Sequence, residues 1–262
     1  MTSSTTDQQL STAICENLFA SSLHLGQVPG GACSDVPELK WAFTGRLMLN
    51  RILAARFNAE ETPVRVAQLT EMVRTRQVPA SWLTDPASPD NLASELANQG
   101  WTPTPAWAGM ALQLQTSLPE LPLPAGLTVT RVTDTETLRV ATGIYTSQAP
   151  PEYQSAFADI FCDLGCGSHL PWSYYLALLH GEPVACSMLY CGAGAAGLYF
   201  IATLPDFRRQ GIGTAITRHT IQQAQQLGHS LIILQATELG ERIYRPLGFE
   251  EYCRIGCYLL KP

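Results

Sequence analysis

Residues 198–216 read LYFIATLPDFRRQGIGTAI, and the fold turns on this stretch. Its first seven residues fit a buried strand ending near Leu204. Pro205 begins a short turn. Arg208-Arg209-Gln210-Gly211-Ile212-Gly213 follows, and the glycines open a helix predicted over 212–227. Glycine at 211 and 213 lets the backbone approach a ligand with no Cβ in the way. The first-turn N–H groups have no partner inside the helix, and the helix dipole favours an anion beside them. Arg208 and Arg209 add positive charge, so a pyrophosphate is the natural guest. A plain tight β-α turn would also use Gly-x-Gly. The third glycine of a dinucleotide fingerprint is missing, since residue 216 is Ile, and no Gly-Lys-Ser/Thr of a Walker loop follows.

The pattern continues on both sides. The helix is amphipathic, with Ile216, Ala224 and Leu227 on one side, Ile221 at its edge, and Arg218, Gln222 and Gln225 opposite. Gly228 ends it, and an apolar strand is predicted over 230–236. A helix over 239–246 carries Tyr244-Arg245-Pro246-Leu247-Gly248-Phe249, and a last strand covers 252–260. Upstream, a strand is predicted at 127–132 and helices at 134–146 and 151–164. Strands at 174–179 and 184–190 join through His180-Gly181-Glu182, and a Gly/Ala-rich loop occupies 192–197. The order from 127 onward is β-α-α-β-β-β-α-β-α-β, an α/β (α+β) arrangement with a mixed sheet flanked by helices.

Arg208-x-x-Gly211-x-Gly213, set between a strand and a helix, resembles the acetyl-CoA pyrophosphate loop of the GNAT acetyltransferase superfamily. Tyr244-x-x-Leu247-Gly248-Phe249 is similar to that superfamily's second motif, and the element order is similar too. The resemblance covers about half the chain. It implies acetyl-CoA, or another acyl-CoA, as co-substrate. It implies that the backbone of Ile201, Ala202 and Thr203 pairs with the acyl carbonyl and pantetheine arm. Arg208 and the backbone N–H groups from Arg209, Gln210, Gly211, Ile212, Gly213 and Thr214 would hold the pyrophosphate. Tyr244 would stand at the thioester sulfur as general acid. A phenol of ordinary pKa ~10 can donate to a departing thiolate. Many relatives keep a Glu on the strand before the loop as general base, and here residues 198–204 hold no carboxylate. Glu238, just past the next strand, could point into the same cleft. Asp159, Asp163, Glu152 or a water relay are the other options.

The N-terminal half reads less clearly. A helix is expected over 7–25, ended by Pro29-Gly30-Gly31. Residues 41–43 fit a short strand, and 52–57 fit a strand or a helix. A helix from Pro63 to about Arg76, a strand at 80–83, a helix over 91–99 capped by Asp90, and a strand at 108–115 complete it. Residues 92–101, LASELANQGW, parallel 239–249, LGERIYRPLGF, with Trp101 in the place of Phe249 and Leu96 in that of Tyr244. Residues 52–80 hold no Arg/Gln-x-x-Gly-x-Gly. The expectation is a tandem protein: a degenerate GNAT-like domain at 1–116, a Pro-rich linker at 117–126 (SLPELPLPAG), and a working domain at 127–262. An unrelated N-terminal domain is the alternative.

Composition narrows the function classes. The chain has 262 residues, 46% hydrophobic and 15% charged, with net charge −6 and pI about 5.3. Nucleic-acid binders carry a basic stripe, which is missing here. The eight cysteines form no Cys-x-x-Cys pair and the histidines no metal-ligand spacing, so reduced thiols and no metal are expected. The opening MTSSTTDQQL has no basic-then-apolar leader, which suggests a cytoplasmic protein, monomeric or homodimeric. The expected function is N-acetyl transfer to a small-molecule or peptide amine by direct attack in a ternary complex. The acceptor would be read by loops, chiefly residues 146–155. A non-catalytic acyl-CoA-binding or regulatory module is the rival, and a protein-interaction scaffold a third reading.

Overall fold

The computed structural model describes residues 2–114 and 123–261. The N-terminal half contains α1 (Thr2–Leu25), β1 (Ala32–Val36), β2 (Leu39–Phe43) and β3 (Arg51–Ala55). It continues with α2 (Thr62–Arg76), β4 (Ala80–Thr84), α3 (Leu92–Asn98) and β5 (Thr102–Gln113). The C-terminal half opens with β6 (Leu127–Arg131), α4 (Thr135–Tyr145), α5 (Pro151–Leu164) and β7 (Trp172–Leu179). Next come β8 (Glu182–Gly192), β9 (Ala195–Thr203) and α6 (Ile212–Gln226). Then follow β10 (Leu231–Ala236), α7 (Glu238–Tyr244) and β11 (Glu250–Leu260). The β-α-α-β-β-β-α-β-α-β order from 127 onward is as the sequence predicts. No described helix is long and apolar enough to cross a membrane. No disulfide joins the eight cysteines.

The chain forms two compact units, and no single cut separates them. The first comprises Met1–Asn17 and Gly109–Tyr252, the second Leu18–Ala108 and Cys253–Pro262. Of the expected linker, 117–122 lie outside the described residues.

In the first unit the strand order is β10-β9-β8-β7-β6. β6, β7, β8 and β9 pair antiparallel, and β9 pairs parallel with β10. The two hairpins turn through left-handed pairs, His180-Gly181 and Ala193-Gly194. That twist matches the twist of the flanking strands. The second turn shortens the loop expected at 192–197, because β9 already begins at Ala195. α4 is capped by Asp134, which accepts from Thr137 N at 2.8 Å. α5 begins at Pro151 and ends at Leu164, with Gly165 as its C-cap at φ 80°. Residues 151–155 of the expected acceptor loop are therefore helical.

α6 packs Ile212, Ala215 and Ile216 against Leu127, Ala177, Val184 and Ala185 of the sheet. Fully burying an isoleucine contributes ~1.5–3 kcal/mol. Ile221 is fully buried, whereas Leu227 lies past the helix end and is 56% exposed. The apolar stripe therefore runs through 221 rather than 227. Asn17 is buried and donates to Gly192 O at 2.7 Å and Ala195 O at 3.0 Å, and Tyr199 donates to its Oδ1 at 2.8 Å. These bonds fasten the first part of α1 to the β8–β9 hairpin.

The second unit repeats the succession of pairings. β1–β2 and β2–β3 are antiparallel, and β3–β4 is parallel with α2 as the crossover. β4 pairs antiparallel with 256–260 of β11. Trp82, Trp101, Val66, Leu69, Leu92 and Leu96 fill its core, and Trp101 donates to Thr70 Oγ1 at 2.9 Å. The cap of α3 is Asn91 rather than Asp90. β1 is missing from the sequence-based pattern because ACSDV carries no apolar alternation.

Candidate active site

β9 carries the candidate site because it bulges against β8 and parts from β10 along its length. Cys186 and Met188, two apart on β8, face Ala202 and Tyr199, three apart on β9. The extra residue is a β-bulge, and Phe200 adopts φ 50° within it. Thr220 Oγ1 donates to Ser187 Oγ at 2.9 Å, which ties α6 to β8 at this level. On the other edge, β9 pairs with β10 only at Ala196↔Ile232 and Gly197↔Ile233. Both strands run on, to Thr203 and Ala236, so a cleft opens between them. Ile201, Ala202 and Thr203 lie on its β9 wall and are half-buried.

The glycine loop closes one end of this cleft. A single 3₁₀ turn, Pro205–Phe207, follows β9. Arg208 Nε donates to Thr203 O at 3.1 Å, which leaves the guanidinium exposed beside the loop. Arg209 and Gly211 take left-handed conformations, φ 60° and 77°, around exposed Gln210. Alternation of this kind turns successive N–H groups toward one side. Gly211 is the N-cap of α6, with no side-chain cap bond, so Ile212, Gly213 and Thr214 keep the unpaired N–H groups of a first turn. A Cβ at Gly213 would stand 3.4 Å from Thr203 Oγ1 and 4.0 Å from Ile243 Cδ1.

α7 flanks the same end. Thr237 caps it by accepting from Gly240 N at 3.3 Å. None of its residues is buried, and Leu239 and Ile243 are 75% and 39% exposed. Tyr244 ends the helix, half-buried, with its ring 6.0 Å from that of Phe249. Burial, with the Tyr145 phenol nearby, pushes the Tyr244 phenol up to about 12. It is therefore protonated throughout the neutral range.

Tyr145, which sequence reasoning did not single out, is the last residue of α4. Its ring stacks on Phe157 at 5.0 Å and meets Phe200 edge-on at 5.1 Å. Its position just ahead of the expected acceptor loop was the available signal. Of the carboxylates considered as base, Glu238 is exposed in the first turn of α7. Asp159 is paired with Arg139 at 3.2 Å on the surface.

The second unit treats the corresponding place differently. Where β3 and β4 end, Arg56 donates to Asp85 through two bonds of 3.0 and 2.6 Å, and the Asp85 side chain is 5% exposed. Beside them, at the start of α2, is a hollow of about 650 Å³ that includes Glu38, Glu60 and Glu61. Arg65 lies over the Phe57 ring at 5.0 Å. Three carboxylates thus border the start of this crossover helix.

Residues 171–251 match the family model described as an acetyltransferase (GNAT) domain. These residues are a GNAT domain. Solved structures agree in fold. A GCN5-related N-acetyltransferase from Kribbella flavida superposes with TM-score 0.70 at 21% identity, over 94% of each chain. A GCN5-related N-acetyltransferase from Sphaerobacter thermophilus gives 0.60 at 18% identity, over 80% of this chain and 72% of that one. A tandem GNAT protein from the clavulanic acid biosynthesis pathway gives 0.58 at 15% identity, over 85% and 78%. No match to a curated protein sequence was found. The GNAT domain contains β7 to α7, so the cleft, the glycine loop and Tyr244 all lie within it.

Proposed function

We propose that the chain is an acyl-CoA-dependent N-acyltransferase with one working site, in the unit that carries the GNAT domain. The observation behind this reading is the meeting of three features in one cleft. These are an unpaired strand edge at Ile201–Thr203, a glycine-opened helix N-terminus, and a protonated Tyr244. Acetyl-CoA would lay its pyrophosphate on the N–H groups of residues 209–214, with Arg208 beside it. Its pantetheine arm would run along the β9 edge and cover Ile243. A backbone N–H at 201–203 would polarise the acyl carbonyl, stabilising the oxyanion that forms on attack. The amine attacks directly in a ternary complex, so positioning does much of the work. Tyr244 hydrogen-bonds the departing thiolate.

The second unit would be a worn copy that binds no CoA. The Arg56–Asp85 pair lies where its parallel strands end, and the start of α2 carries Glu60 and Glu61 in place of a glycine loop.

One observation favours a different reading, a module that binds acyl-CoA without chemistry: β9 holds no carboxylate and Glu238 is exposed. Tyr244→Phe separates the two. The enzyme reading expects kcat to fall ~10²–10⁴-fold, the range for a positioned acid, with acetyl-CoA affinity almost unchanged. An unchanged rate where chemistry limits turnover removes Tyr244 from the mechanism. Wild-type binding with no transfer supports the sensor.

A further inference from the structure

The cleft has a second wall. β10 pairs with β9 as far as Ile233, and Leu234, Gln235 and Ala236 run on beyond the last pair. The amide nitrogen of Gln235 is sealed from solvent and has no hydrogen-bond partner. A buried donor left unpaired is costly, so Gln235 calls for a partner that the chain itself does not supply. Tyr199, as far past the last pair on β9 as Gln235 is on β10, already donates its hydroxyl to Asn17 Oδ1 at 2.8 Å.

Strand register fixes the face on which Gln235 stands. Side chains alternate along a strand, and paired residues of neighbouring strands share a face. Ile233 pairs with Gly197, so Gln235 shares the face of Gly197 and Tyr199. Tyr199 pairs with Met188, and Met188 with Tyr174. Tyr174 and the bulged Phe200 meet Phe161 of α5 at 5.9 and 5.4 Å, so this is the α5 face of the sheet. α6, whose first turn would hold the pyrophosphate, packs on the other face, where Thr220 donates to Ser187. A thioester threaded into the cleft from the α6 face is then open to attack from the α5 face, beside Gln235.

We propose that Gln235 binds the acceptor, donating its amide N–H to a neutral carbonyl oxygen carried close to the attacking amine. This rests on the acyltransferase reading and narrows its substrate. Gln235 is half-buried, and a half-turn about its last side-chain torsion exchanges the two ends of the amide, which brings the NH2 group onto a ligand in the cleft. Tyr199, Phe200 and Met188 of the same face bring no cation to balance a carboxylate, so an uncharged oxygen is the better guest. Half-buried Phe200 offers an apolar wall to the rest of the molecule. The acceptor class is therefore an α-amino amide, as at a peptide N-terminus, rather than a plain alkylamine.

The test uses the full chain, acetyl-CoA and matched pairs of amines: α-amino amides with small and with aromatic side chains, each against the alkylamine that lacks its carboxamide. The wild-type chain should prefer the amide of a pair in kcat/KM. Gln235→Met keeps the length of the side chain and removes the donor. It should reduce that preference ~10–100-fold, the value of one buried hydrogen bond. Acetyl-CoA affinity should hold, and the melting temperature should not fall, because the lost amide is unpaired in the free protein. A preference that survives in Gln235→Met, a wild-type chain that favours the alkylamines, a weakened acetyl-CoA affinity, or a lower melting temperature would each overturn the assignment while leaving the acyltransferase reading in place. A wild-type chain that binds acetyl-CoA and acylates no amine of either kind would overturn both.

Discussion

Gly213→Ala separates binding from folding at the glycine loop. Gly213 is the second residue of α6, and its φ is not in the left-handed region. The added methyl would meet Thr203 Oγ1 at 3.4 Å and Ile243 Cδ1 at 4.0 Å, both ordinary contact distances. The fold therefore has room for it. Alanine also gives up less backbone entropy than glycine, so the free protein should keep its stability or gain up to ~0.5–1 kcal/mol. Binding should move the other way. The methyl stands on the surface where the pyrophosphate would approach the first-turn N–H groups. Displacing the anion from one charge-assisted hydrogen bond costs ~1.5–3 kcal/mol. At about 1.4 kcal/mol per decade, the acetyl-CoA Kd should rise roughly ten- to a hundredfold. Titration calorimetry reads the affinity and a melting scan without ligand reads the stability. An unchanged Kd in a folded variant would refute placement of the pyrophosphate at this loop. A large loss of stability in the unliganded protein would refute the packing argument.

Gly211→Ala should behave differently. Its φ of 77° makes a Cβ cost ~1–2 kcal/mol in the free protein, although the nearest atom, Pro124 Cγ, is 3.7 Å away. Urea unfolding should register that loss, and an unchanged midpoint would contradict the left-handed assignment. Asn17→Ala removes two donated bonds and the Oδ1 that accepts from the Tyr199 hydroxyl. It should cost about 3 kcal/mol, and a shift below ~1 kcal/mol would show that α1 is not fastened there. Crystals soaked in excess acetyl-CoA should hold one cofactor per chain, at residues 209–214; a second between residues 30 and 115 would overturn the worn-copy reading.

Much of this arrangement is local and hence legible in sequence. The loop at 208–213, the amphipathic face of α6 and the order of elements after 127 each follow from glycine placement and periodicity. What escapes is set by partners distant in the chain. Phe200 looks like any strand aromatic, and its bulge exists only against the spacing of Cys186 and Met188. Asn17 reads as a polar helix residue, yet it serves carbonyls at 192 and 195. The last strand pairs with β4, so its end joins the unit of the N-terminal half, which no local pattern signals. Tyr145 is hidden for the same reason, since its contact with Phe200 is purely spatial.

The proposed function requires that the cleft transfer an acyl group rather than merely hold its carrier. Thiol release from acetyl-CoA by the full chain, followed with and without a panel of primary amines, tests it most directly. Release should depend on an amine, saturate with acetyl-CoA, and be accompanied by one equivalent of the N-acetylated amine. Tight acetyl-CoA binding, with release at the buffer rate whatever amine is added, would contradict it.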